Sequence, residues 1–124
     1  MICSLLVLVV VASVAASVDF IRVEPNGYQS RFVDGQNRVR VFHGVNAVTK
    51  LPPFLPIVDH FDARFSLSQE DVDNLFEWGF NVVRFGLMWV GVEPNDGQIN
   101  STFMAASQQI VSMLGATGIY TLID

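Results

Sequence analysis

The chain has 124 residues, 51% of them hydrophobic and 11% aromatic, which is room for one domain or part of one. Twelve acidic against seven basic residues leave a net charge of -5 with no basic cluster, which argues against nucleic acid or an anionic membrane as a partner. A neutral polar substrate fits this balance better.

Residues 1–17 read MICSLLVLVVVASVAAS, an apolar core followed by small residues suited to cleavage, with only the amino terminus as a positive n-region. A membrane anchor and a buried strand are the alternatives, but the run is short of the roughly 20 residues a spanning helix needs. We read it as a secretory signal cleaved near Ser17, with residues 18–124 as the mature part. The expected location is secreted, extracellular or in the endomembrane lumen. The single cysteine, Cys3, lies inside the signal, so the mature chain has no disulfide and depends on packing for its stability.

Residues 19–23 and 30–33 are short alternating segments, and Asp34-Gly35-Gln36-Asn37 supplies turn chemistry joining the second to residues 38–41. This predicts an N-terminal β-hairpin with Arg38 and Arg40 on one face and Val39 and Val41 on the other. Residues 42–46 lose the alternation, as a strand entering a core does. Residues 49–56 carry three prolines and must be loop, because proline neither pairs in a central strand nor continues a helix.

A first helix is expected over residues 67–78. Ser68 caps it, Asp71 stands at the third position after the cap, and Val72, Leu75 and Phe76 make an apolar stripe at helical spacing. Gly79 ends it in the left-handed cap geometry. A strand follows over residues 81–87, then a loop over 88–99. A second helix runs from about 101 to 117, with Phe103, Ser107, Ile110, Val111 and Leu114 on one face. Gly118 leads into a β-prone run that ends in the carboxylate of Asp124.

The order is strand, helix, strand, helix, strand, at the spacing of repeated βα units of roughly 40 residues, and parallel pairing follows from it. A doubly wound sheet and a (β/α)8 TIM barrel both accept this order. The first advertises a Gly-rich phosphate turn after its first strand, and the loop after Asn46 has none. In a barrel the functional loops sit at the strand C-termini, which by this reading hold residues 43–50, 84–94 and Asp124. Arg84 is the most informative of them. A guanidinium among Val82, Val83, Phe85 and Leu87 always stays charged, so it requires a carboxylate partner, and its own stretch supplies none.

The stretches VFHGVNAVTKLPPF, FSLSQEDVDNLFEWGFNVVRFGLMWVGVEP and LGATGIYTLID resemble the start of an endoglycoceramidase-like member of glycoside hydrolase family five. HGVN and GFNVVR are shared widely across that family, while the Lys-Leu-Pro-Pro loop, MW-x-GVEP and YTLID resemble its glycolipid-cleaving branch. The resemblance covers nearly all of residues 18–124. It implies an α/β fold, the first third of a (β/α)8 TIM barrel with about three parallel strands and two helices, since such a barrel takes about 250 residues. It also implies retaining hydrolysis by two glutamates about 5 Å apart. In the family these follow the fourth strand and end the seventh, so both are expected beyond Asp124 and the chain alone is expected to be inactive.

The resemblance also assigns roles to single residues. Arg84 matches the arginine that holds the nucleophile's carboxylate, against the alternative of a structural ion pair. Lys50 and Asp124 match positions that hydrogen-bond sugar hydroxyls, a task suited to charged donors and acceptors once water leaves. The alternatives are a solvated loop lysine and a chain-end carboxylate. Thr49 departs from the family, where an aromatic commonly precedes this lysine, and this puts the details of sugar stacking in question. Glu93, in Val92-Glu93-Pro94, imitates an acid/base motif, but it lacks the preceding asparagine and follows the wrong strand, so it reads as a loop-fixing glutamate.

Trp89 either stacks on a sugar face or fills the barrel mouth. His43 and Asn46 are expected to end the first strand, with His43 a hydrogen-bonded core residue rather than an orienter of a carboxylate. Asn100-Ser101-Thr102 is a glycosylation sequon just before a helix. Two isolated histidines, His43 and His60, and no mature cysteine offer no transition-metal site, and no cofactor is expected. The expected partner is a glycolipid or oligosaccharide, with at most peripheral membrane contact through the lipid. A cellulase-like or mannanase-like hydrolase and a non-catalytic secreted glycan-binding module are the alternatives.

Overall fold

The computed structural model describes residues 18–124, so the expected signal and Cys3 lie outside the described residues. The first elements are β1 (Arg22–Asn26), β2 (Gln29–Val33) and β3 (Val39–Arg40), an antiparallel sheet in the order β1-β2-β3. The expected hairpin is therefore the second half of a three-stranded meander. The first half turns at Gly27 and Tyr28, where Gly27 takes a φ of 64° that a side chain would strain. Pro25 is tolerated in β1 because β1 is an edge strand.

Asp34 organises the second turn. It is buried, and its two carboxylate oxygens accept from the Gln36 and Arg38 backbone N–H groups and from the Nε atoms of Arg38 and Arg40, at 2.7 to 3.0 Å. The arginine face of β3 thus turns toward Asp34, while Val39 and Val41 are exposed. Burial by itself raises the Asp34 pKa, but the hydrogen bonds and charge of Arg38, with the Gln36 N–H, outweigh it and hold the carboxyl at about 2, below its ordinary 3.8. A pKa depressed on folding stabilises above the unfolded value, and that stability is lost as pH falls through the folded value. The stability advantage of the protein over its Asp34→Asn variant is therefore expected to shrink as pH drops from 3.8 to about 2. Thermal melts of the two proteins across that window check this, and a constant difference would contradict it.

Three parallel strands follow: β4 (Gly44–Ala47), β5 (Val82–Phe85) and β6 (Tyr120–Ile123), in the order β4-β5-β6. Two longer helices, α1 (Gln69–Glu77) and α3 (Ser101–Thr117), make the crossovers, and a single turn, α2 (Trp89–Val92), interrupts the expected loop. In α1 the capping box forms as its sequence dictates. The Asp71 N–H donates to Ser68 Oγ, and Asp71 Oδ2 accepts from the Ser68 N–H at 2.8 Å. The N–H of Phe103 donates to Asn100 Oδ1 at the start of α3, and Gly118 closes that helix with a φ of 90°.

Val83 and Phe85 of β5 point to the helix side and form one core with Val72 and Leu75 of α1 and Ile110 and Leu114 of α3. Each of these side chains contributes about 1.5–3 kcal/mol by leaving water. Phe76, expected in the α1 stripe, is instead exposed, because Val72 and Leu75 alone face the strands. Alternation then sends Gly44, Asn46, Val82, Arg84, Tyr120 and Leu122 to the opposite face of the sheet, where they are register neighbours. At the amino end of this face Phe42 packs edge-on against both Phe32 and Tyr120, so the meander closes the bottom of the parallel sheet. Asn81 stitches the same end, accepting from the His43 N–H and donating to the Val41 carbonyl, both at 2.9 Å.

Candidate functional site

The carboxyl ends of β4, β5 and β6 meet at the other end of the sheet. Gly86 N donates to Ala47 O, Asp124 N to Phe85 O, and Leu87 N to Asp124 O, so the three strand ends are tied together by backbone bonds of 2.8 to 3.1 Å. On this frame the structure brings together two residues that the sequence leaves in separate roles. Arg84 donates through its NH2 group to Asp124 Oδ2, and this is the carboxylate partner that the apolar stretch around Arg84 requires. Asn46 is the register neighbour of Arg84 on the other side.

The side chains of Arg84 and Asp124 are 40% and 50% exposed. A pair this open contributes little to stability, about 0–1 kcal/mol. Its effect is positional. Asp124 fixes one edge of the guanidinium, and the remaining N–H groups of Arg84 face a region that water or a ligand can enter.

Lys50 and Trp89 stand at the same end on different loops. Neither makes a hydrogen bond or ion pair with Arg84 or Asp124 among the described residues. Trp89 is 73% exposed on the first position of α2, a ring open for stacking. Gly91 lets α2 lie directly on α3, because a side chain there would collide with the Phe103 ring. Lys50 opens an apolar groove of about 950 Å³ lined by Leu51, Pro52, Leu55, Ile57 and Phe65, among others. This groove is the feature that sequence reading misses. The prolines mark the segment as loop, but only the fold shows that the loop bends around a cavity.

One expectation is corrected. His43 lies at the amino end of β4, away from the carboxyl-end groups, and is exposed with its ring stacked on Phe80 at 4.6 Å, so it is neither a core histidine nor part of the site. The parallel strand starts at Gly44, so His43 precedes it instead of ending it. Glu93 is held by its loop, with Oε1 accepting from the Gly97 N–H at 2.6 Å, which is the loop-fixing contact expected of it. Asn100 is half-buried at the α3 cap. Among the described residues no group of three or more potential metal ligands comes together.

Residues 55–124 match the family described as cellulase (glycosyl hydrolase family 5), which is more than half of the chain. The chain belongs to glycosyl hydrolase family 5. Within this wider similarity, it is 40% identical over 102 residues to an endoglycoceramidase of Cyanea nozakii and 38% identical over 106 residues to one of Hydra vulgaris. Those matches cover 82% and 86% of this chain and 20% of each relative, so the chain spans about a fifth of their length. A crystal structure of endogalactoceramidase superposes with a TM-score of 0.55 at 26% identity, over 73% of this chain and 20% of that one. The likeness to endoglycoceramidases within the family agrees with the motifs read from the sequence.

Proposed function

We propose that this chain forms the first βα units of a secreted, retaining glycosidase that cleaves the β-glycosidic link between an oligosaccharide and ceramide. The observation that carries the reading is the pairing of unlike surfaces at one end of the sheet. Asp124, held by Arg84, and Lys50 offer charged partners for sugar hydroxyls, and the groove beside Lys50 offers an apolar wall. A substrate with a polar head and a lipid tail uses both. A cellulase-like or mannanase-like substrate is the second reading, favoured by the family's own description and served by the polar half alone. Entry into the secretory route rests on residues 1–17, and contact with membrane is peripheral, through the lipid of the substrate.

The catalytic chemistry in this reading belongs to two glutamates on later strands. At the described strand ends Asp124 is paired with Arg84 and Glu93 is tied to its loop. Residues 18–124 expressed alone are therefore expected to show no hydrolysis of a fluorescent glycosylceramide, and turnover above that of a mock purification would contradict this. The substrate class is tested on a protein extended past Asp124 by its own transcript. Release of intact oligosaccharide from glycosylceramide, with retention at the anomeric carbon, is the expected result. Hydrolysis of cellulose or mannan but not glycolipid would favour the second reading, and glycan binding without turnover would make the chain part of a binding module.

A further inference from the structure

We propose that Asn100 carries an N-linked oligosaccharide while its side chain still caps α3. The sequence requirement is met by Asn100-Ser101-Thr102, with no proline at the middle position. The structure adds what the motif alone lacks. The two ends of the Asn100 amide face different surroundings. Oδ1 accepts from the Phe103 N–H at 3.1 Å and so fills one of the open donors at the start of the helix. Nδ2 donates to no described residue. Among the described residues no buried side-chain nitrogen or oxygen lacks a partner, so Nδ2 reaches water. Ser101 and Thr102, the rest of the recognised triplet, are exposed.

The chemistry keeps both ends in use. Nδ2 loses one proton and bonds to the anomeric carbon of an oligosaccharide carried on a lipid pyrophosphate, and the bond from that carbon to the pyrophosphate oxygen breaks, the pyrophosphate leaving with the electron pair. The product is still an amide, and its Oδ1 still accepts from Phe103. The backbone at the attachment point is fixed on both sides, with Asn100 N donating to Val92 O at 2.8 Å and Met104 N donating to Asn100 O at 3.0 Å. The glycan is thus rooted against α2, the turn that carries Trp89, on the helix side of the sheet.

This inference rests on the secretory reading of residues 1–17, because the lipid-linked donor is met only along that route. The test separates the two. The full chain is expressed in a eukaryotic host under its own leader and, in parallel, under a proven secretory leader placed before Val18. Digestion with peptide N-glycosidase is expected to increase the gel mobility of both products and to leave Thr102→Ala, which keeps the Asn100 cap, unchanged. Modification under the proven leader alone would support the site and remove the secretory reading. A product that enters the secretory route under the proven leader with no mobility shift on digestion would overturn the proposal. Asn100→Asp, which keeps an acceptor for Phe103, is expected to lose the glycan and melt above Asn100→Ala. Equal melting would show that Oδ1 does not cap α3 and overturn that half.

Discussion

In a longer enzyme that contains this chain, Arg84→Lys is expected to lower kcat about 100-fold with little change in fold, the loss that a misplacement of about 1 Å brings. The argument starts from the fork of the guanidinium. Asp124 takes NH2, and the other N–H groups remain to grip a second carboxylate, which by family resemblance is the nucleophile. Lysine has the charge but only one nitrogen on a flexible stem, so it serves one of the two partners and orients neither. KM is expected to move less, because Arg84 in this role touches a catalytic carboxylate more than the sugar. Turnover at saturating substrate, with circular dichroism to verify folding, measures the effect. Comparable kcat in the two proteins would leave Arg84 a structural partner of Asp124.

Gly44→Ala is expected to cost about 3 kcal/mol in the same protein, at the upper end of the usual overpacking range. The substitution looks harmless in isolation, since alanine loses less backbone entropy than glycine inside a strand. The obstacle is the neighbour. Gly44 pairs with Val82, and a Cβ built on it falls inside the van der Waals shell of the Val82 carbonyl oxygen and near its side chain. Backbone cannot turn aside as a flexible side chain can, so β4 and β5 have to separate where Asn81 and the meander hold them together. Denaturant unfolding of the two proteins tests it, and a difference within about 0.5 kcal/mol, as for a neutral surface change, would refute the clash.

What the sequence made legible follows from how local each signal is. The Ser68–Asp71 box and the Gly79 and Gly118 stops are contained within a few residues, and the helices begin and end close to where those signals stand. The parallel order of β4, β5 and β6 follows from spacing alone. The turn at Gly27 is hidden because Pro25 breaks the strand pattern, and only the edge position of β1 makes that proline acceptable. α2 has no capping side chain to announce it. At the site, Arg84 shows its need for a partner in sequence, but Asp124 stands 40 residues away and is chosen by strand adjacency. The groove beside Lys50 is likewise a property of how a loop folds back, which no residue pattern encodes.

That loop is closed on itself. Ile57 N donates to Phe65 O, Leu67 N donates to Ile57 O, and Ile57 and Ser66 form an isolated parallel bridge, so its far end is fastened before α1 begins. The strand registers it joins are set elsewhere, by the Asn81 stitch below and the helix core behind. The segment therefore behaves as an exchangeable cassette. Its length and lining can be changed by grafting while β4, β5 and β6 keep their alignment, and the groove can be reshaped with no change to the polar pair beside it.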